Sequence, residues 1–185
     1  MKQFIIALAL ALFAVNAHAN QWTGNVNFLL GVKALESNEW APVEDHAAFG
    51  VFVDFRKQEW PVSIAIDFLG SYSEETEFGI KIEGSTSEFD VGVRKIWEVS
   101  GTSMRPYIGG GIAFIRGEFK GTAVTTISED DNGTGIWLNG GIYWTLGQSF
   151  NLGFDVRYSS ADVTLFGIEA DAGGSYAGLL LGYHW

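Results

Sequence analysis

The chain has no cysteine and only 3 prolines in 185 residues. The first absence excludes a disulfide framework and thiol chemistry. The second leaves long stretches free to enter a sheet, since proline removes a ladder donor wherever it falls. Basic residues are also scarce, with 11 Lys and Arg against 22 Asp and Glu and a formal net charge of -11. That balance argues against nucleic acid, whose phosphates demand a basic surface. Beyond the first residues no stretch is long and apolar enough for a membrane helix, so any membrane span must be built from strands. The 3 histidines are His18, His46 and His184. The last two fall at opposite ends of the strand pattern, and no metal or other cofactor is expected.

What is abundant is glycine, 24 residues, and aromatic side chains, 15%. Both favour a sheet with tight turns over a helical bundle. At the N-terminus Lys2 precedes an apolar run from Phe4 to Ala14 and a small-x-small site, Ala17-His18-Ala19. This is the pattern of a secretory signal peptide over residues 1–19, with one domain over 20–185. The run is too short for the roughly 20 residues that span a bilayer as a helix.

Eight segments alternate with period two: 23–35, 46–56, 61–72, 86–97, 105–117, 135–146, 150–160 and 174–185. Short turns join some of them, at 56–60, 100–103 and 147–149. Longer, acid-rich connections, 36–45, 73–85, 118–134 and 161–173, join the rest. An even number of strands with short turns on one side and long loops on the other is the outer-membrane barrel pattern, with the short side periplasmic. In the first segment Val26, Phe28, Leu30 and Val32 oppose Asn25, Asn27 and Lys33. In the seventh, Phe150, Leu152, Phe154, Val156 and Tyr158 oppose Asn151, Asp155, Arg157 and Ser159.

A soluble barrel alternates as well, with its oily face inside, so parity alone does not decide the solvent. Aromatic placement does. Trp22, Trp60, Trp97, Trp144, Tyr183 and Trp185 fall next to the short-turn ends, which reads as one interfacial girdle. The last strand also runs to the end of the chain with Ala177, Leu179, Leu181, Tyr183 and Trp185 on one face. The expected fold is therefore all-β, an eight-stranded antiparallel transmembrane up-and-down barrel. Its interior then holds Lys33, Asp54, Arg56, Asp67, Glu88, Asp90, Arg94, Asp155 and Arg157. An eight-stranded barrel is just wide enough for side chains to fill it, and charges of both signs inside must pair. A salt-bridged plug is expected in place of an open pore.

Several stretches resemble a known family. They are Val91-Gly92-Val93-Arg94-Lys95, Arg105-Pro106-Tyr107-Ile108-Gly109-Gly110-Gly111, Arg157-Tyr158-Ser159-Ser160-Ala161-Asp162, and Gly173-Gly174 followed by the Gly-Tyr-x-aromatic terminus. They are similar to the small OmpA-, OmpX- and OmpW-like outer-membrane barrels of Gram-negative bacteria. The resemblance implies a bacterial outer-membrane address, contact with outer-membrane lipid and lipopolysaccharide, and delivery to the barrel-assembly machinery through the C-terminal strand. It is weak for activity, since such proteins include adhesins, anchors and narrow channels. The first reading is a non-enzymatic barrel with a structural or surface-interaction role carried by acidic outer loops. The alternative is a narrow channel, with Leu29, Phe52, Leu69 and Leu180 lining a path.

A remote alternative is lipid A modification. Arg157-Tyr158-Ser159-Ser160-Ala161 resembles the His-Tyr-Ser-Asn-Ala segment of outer-membrane deacylases, but a guanidinium stands where a base is needed and stays protonated. No catalytic residue is therefore assigned. Glu129-Asp130-Asp131-Asn132-Gly133 reads as a solvated acidic turn, with too few spaced ligands for a calcium loop. Glu77 to Glu83 alternates and is expected as an extension of the third and fourth strands beyond the membrane, a plain hairpin or an edge able to pair with a partner strand.

Overall fold

The computed structural model describes residues 21–185; the leader expected over 1–19 lies outside the described residues. The strands are β1 (Trp22–Ala34), β2 (Asp45–Lys57), β3 (Ser63–Glu77), β4 (Ile80–Ile96), β5 (Met104–Thr122), β6 (Thr126–Leu146), β7 (Phe150–Ser160), β8 (Asp162–Leu165), β9 (Ile168–Asp171) and β10 (Gly174–His184). One short helix, α1 (Ser37–Trp40), interrupts the first long connection. Eight strands close a barrel in the order β1-β10-β7-β6-β5-β4-β3-β2, and β8 with β9 forms a separate hairpin. Every pairing is antiparallel, and closure runs from Asn25↔His184 to Ala34↔Ser175. Closure leaves the ring without the unpaired edge that an open sheet must protect.

The alternation of side chains sets inside from outside. Phe28, Leu30 and Val32 of β1 and Phe154 and Val156 of β7 are exposed on the outer wall, whereas Asn25, Asn27, Lys33, Asp155 and Arg157 are buried. Oily residues outside and charges inside invert the soluble arrangement. Trp22 and Trp60 meet edge to face at 5.5 Å, with Lys57 Nζ above both rings. They stand at the short-turn end, as do the partly exposed Trp97 and Tyr183.

The strands are unequal. Pairing of β2 with β3 ends at Ala47↔Tyr72, and pairing of β6 with β7 ends at Ile136↔Ser160. Strands β3 to β6 continue past both neighbours as a four-stranded sheet that projects from the long-connection end. Residues 118–134, expected as a loop, are thus mostly strand, and within 73–85 the segment Glu77 to Glu83 extends the third and fourth strands as its alternation indicated. The Glu129-Asp130-Asp131 run is no turn: it lies within β6, and the tip of that hairpin is at 123–125. The β3–β4 hairpin turns on Phe78 (φ 50°) and Gly79 (φ 79°), and the β8–β9 hairpin on Phe166 (φ 53°) and Gly167 (φ 76°). Two consecutive left-handed residues make the turn that matches strand twist; phenylalanine is an uncommon occupant of its first position.

Candidate functional site

The barrel interior is built around a conflict of like charges. Asp67 of β3 and Asp90 of β4 are direct cross-strand partners, both facing inward, an arrangement that repels unless a cation intervenes. Two arginines supply it. Arg157 reaches over the lumen from β7 and donates Nη1 to Asp90 and Nη2 to Asp67. Arg94 donates Nη2 to the same Asp67 oxygen at 2.7 Å and Nη1 to Asp54 at 3.4 Å. Both guanidiniums also lie over aromatic faces. Arg157 is 4.5 Å from the Phe52 ring and 4.6 Å from that of Trp137; Arg94 is 5.4 Å from Phe52 and 5.5 Å from Tyr107. Such contacts are worth about 0.5–2 kcal/mol each when desolvated.

The remaining carboxylates are held by neutral donors. Asp155 accepts from the Tyr107 hydroxyl at 2.5 Å and from Asn139 at 2.9 Å. Glu88 accepts from Tyr176 at 2.8 Å and from Ser159 at 3.0 Å. Towards the long-connection end the bonds form a directed chain. The Lys33 ammonium donates to Thr86 and to the Ala172 carbonyl, each at 2.8 Å. Thr86 and Ser71 are 2.7 Å apart, Ser71 and His46 Nδ1 2.8 Å, and His46 Nε2 and the Val43 carbonyl 2.7 Å. Because a carbonyl only accepts, Nε2 carries the proton, so Nδ1 accepts from Ser71 and Ser71 in turn accepts from Thr86.

Of the nine charged residues that the alternation turns inward, eight are buried: Lys33, Asp54, Asp67, Glu88, Asp90, Arg94, Asp155 and Arg157. Arg56 stands apart. Its side chain is partly exposed at the short-turn end, donating to the Trp60 carbonyl and lying 3.9 Å from Glu98. The apolar residues Leu29, Phe52, Leu69 and Leu180 pack into a buried cluster with Ala48, Tyr107, Tyr143 and Tyr176. The recess at the short-turn end, between Asn25, Asp54, Arg105, Tyr143 and His184, encloses about 10 Å³, the least space that holds one water. A larger depression of about 640 Å³ lies against the outer wall over the exposed Val32, Ala34, Ala47 and Ala177.

The mouth at the other end is closed by a second apolar cluster, which sequence reasoning did not find. Trp40 of α1, Leu35, Val163 and Leu165 of β8, and Ala170 and Ala172 pack on Ile115 and Trp137, with Phe119 beside them. Carboxylates staple this cap through backbone N–H groups: Thr164 N donates to Asp131 and Phe166 N to Glu129, both at 2.8 Å, and Asp171 N to Glu39 at 2.7 Å. The Thr164 bond, with a second from Asn132, holds the Asp131 carboxyl below its ordinary value. The signal available in the sequence was the inward parity of Trp137 with Asn139. Trp40 lies in a segment with no periodicity and gave none.

Above the cap, the outward face of the projecting sheet is laced with ion pairs. Lys81 meets Glu74 at 3.0 Å and Glu83 at 3.1 Å, Lys120 meets Glu83 at 3.4 Å, and Arg116 meets Asp130 at 3.0 Å. The hydroxyl of Tyr72 donates to Glu74 and Glu83, and with Lys81 it holds both carboxyls low. Among the described residues no grouping of histidine and carboxylate side chains has the geometry to hold a metal.

The sequence matches the family model described as outer membrane protein beta-barrel domain over residues 5–184. Among curated proteins nothing matches. Solved structures share the fold at low identity. Ail, the attachment invasion locus protein of Yersinia pestis, in complex with the heparin analogue sucrose octasulfate, superimposes with a TM-score of 0.61 at 13% identity, covering 89% of this chain and 99% of Ail. Neisserial surface protein A gives 0.54 at 9% identity, covering 88% of this chain and 94% of its own. A major outer membrane protein from Thermus thermophilus gives 0.55 at 9% identity, covering 89% and 99%.

Proposed function

We propose that this chain, which belongs to the outer membrane protein beta-barrel domain family, is a closed, non-enzymatic barrel of the outer membrane that works through its extracellular loops. The observation that carries this reading is the contrast between its two ends and its middle. The lumen is filled by paired charges and sealed at the mouth by the Trp40–Val163 cap. The projecting strands β3 to β6, by contrast, carry an acidic and partly apolar surface outward. Short turns mark the periplasmic side of such barrels and long connections the extracellular side.

The channel reading is weaker on physical grounds. A solute would have to displace the Arg157 and Arg94 guanidiniums, and an unpaired buried charge is costly. Lipid A hydrolysis is weaker still. Ser159 is fully buried, faces the lumen and donates to Glu88, so its hydroxyl has no access to an acyl ester in the bilayer. Outer-leaflet lipopolysaccharide would meet the acidic loops through divalent cations, and β10, which closes the ring, would be the segment received by the assembly machinery.

Exchange of the loops tests the proposal. The β3–β4 and β5–β6 hairpins are shortened to Asn-Gly turns near the membrane, and cells displaying either form are compared for retention on immobilised serum and matrix proteins. Retention that falls at least fivefold with the short turns supports the reading. Equal retention by both forms, with the barrel shown folded by its gel mobility, overturns it.

A further inference from the structure

Beyond the β8–β9 hairpin, which meets it at Phe119, Glu129 and Asp131, the inner face of the projecting sheet is unpartnered, and its chemistry differs from that of the outer face. Cross-strand register places Glu75 opposite Ile82, Ile82 opposite Gly121 and Gly121 opposite Ile127, one row spanning β3, β4, β5 and β6. Alternation puts this row on the face that holds buried Gly84 and the cap-packed Phe119. One step towards the tips lie Glu77 and Ile80, direct partners, and then Phe78 and Val124, both fully exposed. Ile127 is 61% exposed. A Cβ placed on Gly121 meets nothing within 4 Å, so the row has a notch between two isoleucines.

Charge separates the two faces. The cations of the projecting sheet, Lys81, Arg116 and Lys120, all sit on the outer face in ion pairs. On the inner face the apolar row runs between Glu75 and Glu77 on β3 and Glu129 and Asp131 on β6. Glu75 and Glu77 have no ion-pair or hydrogen-bond partner among the described residues. An exposed apolar strip between carboxylates, with no cation on its own face, repels anionic lipid and sulfated polysaccharide, and it complements apolar side chains flanked by lysine or arginine.

We infer that the inner face of the β3–β6 projection, beyond the cap, is a docking surface for a cationic amphipathic polypeptide segment, whose apolar side chains seat on Ile80, Ile82 and Ile127 over the Gly121 notch while its basic side chains meet Glu75 and Glu77. This names the partner class for the loop-mediated role proposed above and rests on that reading. Ail was solved with a polysulfated ligand; the acidic face here selects the opposite charge.

The test titrates an amphipathic leucine–lysine peptide into the full barrel in zwitterionic nanodiscs, with empty nanodiscs as blank. Saturable binding is expected, weakened at least tenfold by Ile82→Ser with Ile127→Ser. Glu75→Gln with Glu77→Gln should weaken it about fivefold and flatten its salt dependence, and the outer-face variant Glu83→Gln should leave it unchanged. A serine–lysine peptide of equal charge should bind at least tenfold more weakly. Any of three results overturns the inference: no binding above the blank, equal binding by a leucine–glutamate peptide or by phosphatidylglycerol vesicles, or inner-face variants that bind like the parent. If the peptide fails while retention of displaying cells still depends on the long hairpins, only the partner class is wrong. Loss of that dependence would remove the underlying reading itself.

Discussion

Asp67 and Arg157, 90 positions apart and on opposite walls of the barrel, meet inside it as the hub of the interior. The Asp67 oxygen that accepts from Arg157 also accepts from Arg94, so one carboxylate serves two buried guanidiniums. Removing its charge leaves both cations underpaired. Asp67→Asn should destabilise the folded barrel by about 3–5 kcal/mol, the usual cost of breaking a buried pair. Urea unfolding followed by the shift in gel mobility checks it. A loss within about 1 kcal/mol, the worth of a surface pair, would show that the network is not what holds the interior.

The same geometry bears on enzymology. Arg157 occupies the histidine position of the deacylase-like segment, and restoring a histidine there would rebuild the motif in sequence. It would not rebuild a site, because Ser159 points into the lumen and is fully buried. Lipid A from cells carrying folded Arg157→His should keep all its acyl chains by mass spectrometry. A species lacking one chain would reverse the assignment of the barrel as non-enzymatic.

The cap has a pH signature. Asp131 accepts from Thr164 N, and its carboxyl is held below the ordinary 3.8. A depressed folded-state value contributes stability that is complete above the ordinary value and is lost as pH falls through the depressed one. The Thr164 amide should therefore keep its exchange protection above the ordinary value and lose it as pH falls through the depressed one. Asp131→Asn should lower that protection at about pH 5, where the carboxylate is charged, while amides of β7 within the barrel wall stay protected. Equal protection of Thr164 in the two proteins would mean that the staple does not hold β8.

Much of this was legible along the chain, and the failures have physical causes. Barrel strands were readable because lipid on one face and the lumen on the other force a strict alternation, as in Phe150 to Ser159. Past the membrane that constraint lapses. Glu77 to Glu83 still alternates and reads as an extension of the third and fourth strands, but the ends of β5 and β6 have water on both sides and read as a loop. The Glu129–Asp131 run looked like a turn because acidic residues cluster in turns; in the fold two of its carboxylates accept N–H groups from a hairpin more than 30 positions away. The cap was invisible for a similar reason. Trp40 and Val163 meet only through the chain's topology, and neither belongs to a periodic segment.

In the proposed reading the lumen is closed and function lies outside it. Single-channel conductance of the folded protein in a planar bilayer tests it most directly, with Asp67→Asn and Arg94→Ala alongside. A silent membrane is expected for the parent chain, and intermittent openings once either variant loosens the network. Steady openings from the parent chain, with a size that shifts in both variants, would contradict that reading and make the barrel a channel.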